Sequence, residues 1–267
     1  MARKVFIFKN NKEATINEYN NLLEILNKND WDILEEYDEQ VDLLICIGGD
    51  GTFLSFVHKC QFPKAPILGI NTGHLGFFQE CVPSGVEKAL SCFENNEYTL
   101  QKIKPVEARI VTEGATFVRT GVNEVLLRGM FSHLSHYSIS IDKTKIQDFS
   151  GDGVLISTPV GSTAYNYSLN GSLVSPDLDI LQITPVAPMT TNPYRCFHSS
   201  ILLPAKENIT VEGTGRSKNG TMVVSFDGRT HEFTNVKYVE ISQSENEINL
   251  IRFEDYDYWS KLSNKLL

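Results

Sequence analysis

Apolar residues recur at helical spacing in the first hundred residues of the chain and alternate singly through most of the remainder. Lys4-Val5-Phe6-Ile7-Phe8 predicts a strand. Ile16, Tyr19, Leu22, Leu23 and Leu26 then line one face of a helix, with Thr15 and Glu18 spaced to open it as a capping box. Val41 to Ile47 is an almost unbroken apolar run of strand length, the pattern of a strand buried on both faces in a parallel sheet. It ends on Gly48-Gly49-Asp50-Gly51. Beyond that, Phe53, Phe56, Val57 and Cys60 fall at i, i+3, i+4 and i+7 and predict a helix from Thr52. Pro66 to Ile70 reads as a third strand, Asn71 to Phe77 as a loop of turn residues, and Pro83 opens a helix with Val86, Ala89, Leu90 and Phe93 inward. Strands alternating with helices predict a parallel α/β sheet.

From Tyr98 the period shortens. Glu107–Val111 and Thr116–Val118 flank Glu113-Gly114, Tyr137–Ile141 and Lys145–Phe149 flank Asp142-Lys143, and Met222–Phe226 and Thr230–Thr234 flank Asp227-Gly228-Arg229. These are hairpin patterns, so the second half reads as mainly antiparallel β. Tyr256 to Leu267 returns to helical spacing with Trp259, Leu262 and Leu266 on one side. The expected architecture is an α/β N-terminal domain with a parallel sheet, 1–98, and a mainly antiparallel β C-terminal domain, 99–253. The last helix, 254–267, packs back on the first domain.

Composition narrows the partners. The 267 residues are 41% hydrophobic and 21% charged, with a net charge of −9. That acidic balance argues against nucleic acid and anionic membranes, although a nest of amides can hold a nucleotide's phosphates on an acidic protein. No apolar run has the length of a membrane span or a signal peptide. The five cysteines (Cys46, Cys60, Cys81, Cys92, Cys196) form no C-x-x-C pair and read as small core residues in a reducing, cytoplasmic protein.

The glycine turn carries the first chemistry. At the carboxyl end of a central strand, Gly48, Gly49 and Gly51 let a bulky group approach backbone amides, and the helix from Thr52 adds unpaired N–H groups that suit phosphate. Asp50 would repel phosphate, so its use is as a metal ligand or as a base toward a hydroxyl. The same four residues also fit a plain tight turn with an Asx-type cap. Further along, Gly151-Asp152-Gly153 through Thr158-Pro159 to Gly161-Ser162-Thr163-Ala164-Tyr165 holds more small residues than a structural hairpin needs, which points to close approach of a ligand. Asn123-Glu124 is suited to hydrogen-bond a base edge and ribose hydroxyls, or is a sheet-edge polar pair.

Taken together, the three stretches resemble the NAD kinase family in order and separation, and the resemblance spans nearly the whole chain. The glycine turn by itself is shared with diacylglycerol, sphingosine and phosphofructo-kinases. The resemblance implies transfer of the γ-phosphate of ATP, or of polyphosphate, to the 2′-hydroxyl of the adenosine ribose of NAD, with divalent metal, Mg²⁺, carried on ATP. It implies Asp50 as proton acceptor with Gly51 beside the substrate, and Asn123 and Glu124 on the adenine and its ribose. Thr163, Ala164 and Tyr165 would frame the adenine, with Ser168 toward the other end of the dinucleotide and Asn166 and Tyr167 also on the substrate, and Asp152, Ala187 and Tyr194 would hold its nicotinamide side. It further implies a homodimer or homotetramer whose sites are completed by a neighbouring subunit.

Two departures stand out. Ser150 precedes Gly151-Asp152 where some members carry arginine, which puts a substrate contact in question, and Val160 replaces a hydroxyl residue. The chain has neither a G-x-x-x-x-G-K-[ST] loop nor a G-x-G-x-x-G fingerprint, so phosphate falls to the glycine turns. His74, in the loop after a parallel strand, is a substrate-side candidate; His58 reads as a solvated helix-face residue. His133, His136, His198 and His231 lack metal-ligand spacing, so no structural metal is expected. The alternatives are a lipid kinase of the diacylglycerol or sphingosine type and a dinucleotide-binding sensor without catalysis.

Overall fold

A computed structural model describes residues 2–130, 134–190 and 196–266. The chain divides into two compact units, Met1–Ile103 with Glu247–Leu267, and Lys104–Asn246. The first opens with β1 (Lys4–Lys9), α1 (Glu13–Lys28), β2 (Asp32–Leu34), β3 (Leu43–Ile47), α2 (Asp50–Lys59), β4 (Ile67–Ile70), α3 (Val86–Glu94) and β5 (Thr99–Ile103). β3 is buried along its whole length, as its unbroken apolar run requires, and pairs in parallel with β1 and β4. Leu22, Leu26, Ile45, Leu68, Val86 and Leu90 meet in one apolar cluster, each burial contributing about 1.5–3 kcal/mol.

The expected capping box does not form. α1 starts at Glu13, with Lys12 as its N-cap and no side-chain cap bond. Thr15 therefore lies inside the first turn, where its buried hydroxyl bonds that of Thr72 at 2.8 Å. Burying Thr15 and Glu18 with Leu22 and Leu26 turns Ile16, expected inward, to 39% exposure.

The second unit contains β6 (Val106–Thr112), β7 (Thr116–Gly121), β8 (Glu124–Gly129), β9 (Ser135–Ile141), β10 (Thr144–Gly151), β11 (Gly153–Ser157), the short helix α4 (Tyr165–Ser168), β12 (Ile180–Val186), β13 (Ile201–Pro204), β14 (Ile209–Gly213), β15 (Met222–Phe226), β16 (Arg229–Phe233) and β17 (Val236–Gln243). They form two six-stranded antiparallel sheets, ordered β10-β9-β14-β17-β6-β7 and β13-β12-β11-β8-β15-β16. Alternate residues of both sheets, among them Ile110, Ile139, Val239, Leu127, Val154 and Ile156, share a single core. The β15–β16 hairpin turns through Asp227 at φ 45° and Gly228 at φ 78°, the left-handed pair that matches strand twist.

The chain then re-enters the first unit as β18 (Ile248–Arg252) and α5 (Tyr258–Leu266). β18 lies between β4, parallel to it, and β5, antiparallel, giving the order β2-β1-β3-β4-β18-β5. Thr99–Ile103 and Ile248–Arg252, on the β-domain side of the sequence boundaries at 98 and 253, are thus strands of the first sheet. On α5, Leu262 is buried while Trp259, expected on the same face, is 59% exposed. No helix of the described residues is long and apolar enough to cross a membrane.

Candidate active site

The turn from β3 into α2 is set by sterics. Gly48 adopts φ +150°, and a Cβ there would fall 2.7 Å from Cβ of Thr52, so no side chain fits. Gly49 caps α2, Asp50 is its first residue rather than Thr52, and Gly51 is exposed beside it. Thr52 N–H and Phe53 N–H both donate to the Gly49 carbonyl, which leaves the Asp50 and Gly51 amides at the open start of α2. The Thr52 hydroxyl accepts from Asn10 Nδ2 at 2.9 Å. His74 is exposed in the loop after β4.

Asp50 is held at both oxygens. Its Oδ1 accepts the backbone N–H of Phe77 at 2.9 Å and of Phe78 at 3.1 Å, and its Oδ2 accepts from Lys265 Nζ on α5 at 2.6 Å. The loop closes this tightly because residue 76 is glycine: a Cβ there would lie 2.5 Å from Asp50 Oδ1. Gln79, buried next to the same point, has neither amide atom hydrogen-bonded.

A buried ion pair anchors the loop from behind. Arg252 Nη1 donates to Glu80 Oε2 at 2.8 Å, its Nε to Gln101 Oε1 and its Nη2 to the Phe77 carbonyl, while Phe253 N–H donates to Glu80 Oε1. Both side chains are at most 5% exposed, so removing either partner would leave a bare buried charge, at a cost of about 3–5 kcal/mol. Lys261 donates to the Gln79 carbonyl, and burial, then the Arg252 charge, push its pKa down to about 8. Neither Arg252, Glu80 nor Lys265 carried a sequence signal; all three act across long separations.

In the second unit, Asn123 and Glu124 stand buried where β8 begins. Asp227, in the β15–β16 turn, accepts Val122 N–H at Oδ2 (2.7 Å) and Asn123 N–H at Oδ1 (2.8 Å). The Asn123 carbonyl takes Thr158 N–H at 2.9 Å. With the backbone fixed from both sides, Asn123 Oδ1 and Glu124 Oε2 are left buried without a partner. Burial, and secondarily the Asp227 charge, raise the Glu124 pKa to about 8. Orphaned atoms of this kind cost about 1–3 kcal/mol each and mark a place where a ligand completes the bonding.

Thr163 ends a short 3-10 turn, and Ala164 leads into α4. Tyr165, Tyr167 and Ser168 are exposed, and the Tyr165 hydroxyl accepts from Arg128 Nη2 at 3.0 Å. Asn166 is instead fully buried: Thr184 Oγ1 donates to its Oδ1 at 2.6 Å and its Nδ2 donates to the Ser162 and Ser172 carbonyls. Its side chain pins the turn from beneath. Ser150, where an arginine contact is absent, is buried with its hydroxyl 2.8 Å from His136 Nδ1.

Asp152 and Ala187 lie together, both exposed, Asp152 N–H donating to the neighbouring Val186 carbonyl. They sit at the opposite end of β11 from Thr158 and Asn123, about 16–20 Å away at strand rise. Tyr194 and His133 lie outside the described residues.

A carboxylate in a glycine turn, at a helix N-terminus and the carboxyl end of a parallel sheet, with no P-loop, is the arrangement of a phosphotransferase that holds phosphate on glycine-turn amides. The chain matches the ATP-NAD kinase N-terminal domain over residues 5–98 and the ATP-NAD kinase C-terminal domain over residues 122–253, and so belongs to the NAD kinase family. It is 36% identical to the NAD kinase of Finegoldia magna over 87% of this chain and 86% of that one. With the NAD kinase of Caldicellulosiruptor bescii it shares 32% identity over 98% of this chain and 99% of that one. The fold is that of yeast NADH kinase complexed with NADH (TM-score 0.82, 23% identity, 99% of this chain and 87% of that chain). It is also that of an Archaeoglobus fulgidus NAD kinase in complex with ATP (TM-score 0.79, 20% identity, 97% and 98%).

Proposed function

We propose that this chain phosphorylates the 2′-hydroxyl of the adenosine ribose of NAD, with ATP as donor and Asp50 as proton acceptor. The observation that carries the reading is the mounting of Asp50. Two backbone amides fix Oδ1, which aims the carboxylate and leaves Oδ2 as the oxygen that accepts the hydroxyl proton. The ribose oxygen attacks Pγ, the bond from Pγ to the β–γ bridging oxygen breaks, ADP leaves, and the proton rests on Asp50. A positioned carboxylate contributes typically about 10²–10⁴-fold, the remainder coming from alignment and charge neutralisation.

Asn123 Oδ1 supplies a free buried acceptor for the adenine amino group, the unpartnered Glu124 carboxyl a hydrogen-bonding group for a ribose hydroxyl, and exposed Tyr165 a ring for the base. Gly48, Gly49, Gly51 and Thr52 receive phosphate, and His74 is a further substrate-side candidate. Among the described residues no group of three or more His, Cys, Asp or Glu side chains gathers, and both Asp50 oxygens have protein partners. The divalent cation, Mg²⁺, is expected on the donor's phosphates, as part of the substrate.

The Asp152–Ala187 patch lies at the opposite end of β11 from Asn123. By the family resemblance it serves the nicotinamide half bound at a neighbouring subunit of a homodimer or homotetramer. Five free thiols fit a cytoplasmic enzyme.

The test is incubation of purified protein with NAD, ATP and Mg²⁺. NADP phosphorylated at the 2′ position, read by ³¹P NMR, is expected. Phosphorylation of diacylglycerol or sphingosine in its place, or NAD binding without turnover, would overturn the reading.

A further inference from the structure

Lys261 and Lys265 are four residues apart on α5 and so share a helix face, and both turn toward the loop that holds Asp50. Lys261 donates to the Gln79 carbonyl beneath the loop. Lys265 reaches further. Its Nζ lies 2.6 Å from Asp50 Oδ2 and 4.6 Å from the centroid of the Phe77 ring, across 215 positions of sequence.

This contact is awkward for the reaction as it stands. The oxygen that must accept the ribose proton is already bonded to an ammonium. A donor arriving with a chain of phosphates, meanwhile, needs cations that a chain of net charge −9 lacks in bulk and that no P-loop lysine provides. Both needs are met by one displacement. A lysine is a point charge on a flexible four-carbon stem, able to move between two acceptors without moving its helix.

We propose that Lys265 is a catalytic residue, exchanging Asp50 for the transferred phosphoryl group when the nucleoside triphosphate donor binds; this rests on the reading of Asp50 as proton acceptor. In the resting protein its ammonium neutralises Asp50. When the donor enters, Nζ bonds a Pγ oxygen beside the first-turn amides of α2, and Asp50 Oδ2 is released to the 2′-hydroxyl. The oxygen–Pγ bond forms, the Pγ–bridging-oxygen bond breaks, and the nucleoside diphosphate leaves with that electron pair. The proton passes to Asp50 and then to water, and the ion pair reforms.

The rival role is that of a plain counter-ion to Asp50, and it is separated by working without the carboxylate. Full-length Asp50→Asn and Asp50→Asn/Lys265→Met proteins are titrated calorimetrically with adenylyl imidodiphosphate and Mg²⁺. A counter-ion has no task once Asp50 is an amide, so it predicts equal affinity. A phosphoryl-binding lysine predicts at least about tenfold weaker binding in the double variant.

In the native background, Lys265→Met should lower kcat by about 10²–10³-fold, as loss of one transition-state contact does, with KM for NAD within about twofold. Lys265→Arg should recover part of that loss, and unchanged melting curves show that the fold survives. Equal analogue affinities, or a kcat for Lys265→Met equal to or above the parent's, overturn the proposal. Near-normal turnover by Asp50→Asn alone would instead remove the Asp50 reading on which it rests.

Discussion

Asp227 and Asn123 are joined across 104 residues: Asp227 Oδ1 accepts the Asn123 amide proton at 2.8 Å, while its other oxygen takes that of Val122. A hairpin turn of one strand pair thus fixes the first residues of another. Asp227→Asn tolerates the left-handed φ of 45° but offers only one oxygen to the two amides. We expect a stability loss of about 1–3 kcal/mol together with a several-fold rise in KM for NAD. Denaturant titration and kinetics would detect both, and an unchanged KM would show that Asn123 keeps its place without Asp227.

Glu124 gives the fold a pH dependence. Its pKa rises from 4.5 in the unfolded chain to about 8 in the fold, so the native state binds the proton more tightly. The stability it contributes is complete below pH 4.5 and is lost as pH climbs through 8. Glu124→Gln removes this slope, so relative to the parent it should gain on the order of a few kcal/mol between pH 5 and pH 9. Parallel stability curves for the two proteins would contradict the buried, protonated carboxyl.

Asp50→Asn retains an oxygen for the Phe77 and Phe78 amides, so the loop and NAD binding should persist. Turnover should fall by about 10²–10⁴-fold, the worth of a positioned base. A variant with near-normal kcat would show that another group, or water, takes the proton.

Gly48→Ala places a methyl group against the Thr52 side chain at a backbone angle that side chains avoid. We expect a loss of about 1–3 kcal/mol and a fall in kcat larger than any change in KM for NAD, because the turn beside Asp50 shifts. Unaltered melting temperature and kcat would mean the turn relaxes freely.

Asp152 tests assembly. If its patch serves a neighbour, inactive Asp50→Asn and Asp152→Ala proteins should regain part of their activity when dissociated and reassembled together, since some mixed sites would hold both aspartates. Verified mixed oligomers without rescue, or a monomer at assay concentration, would assign each site to one chain.

The amino-acid sequence by itself determined what depends on neighbours a few residues away. The buried run before Gly48 made a central parallel strand, the i, i+3, i+4, i+7 pattern from Phe53 made α2, and Asp227-Gly228 made a left-handed hairpin turn. Each of these is a matter of local sterics and period. The residue types of the candidate site could be proposed for the same reason, because glycine turns and hydroxyl-rich segments are short.

Every relation between distant residues required the tertiary structure. Thr15 lost its capping role because the Thr72 hydroxyl is its partner, and β18 entered the first sheet beside β4 from the far end of the chain. β12 went unread because the buried Gln182 and Thr184 interrupt its apolar pattern; they bond Ser172 and Asn166. Lys265 on Asp50, Arg252 on Glu80 and Asp227 beneath Asn123 are single long-range contacts, each made by a residue whose local context is an ordinary helix end, strand end or turn. Nothing within a few residues of them distinguishes a solvated charge from one that holds a site together, because the desolvation and pairing that decide it arise only once the sheets have packed.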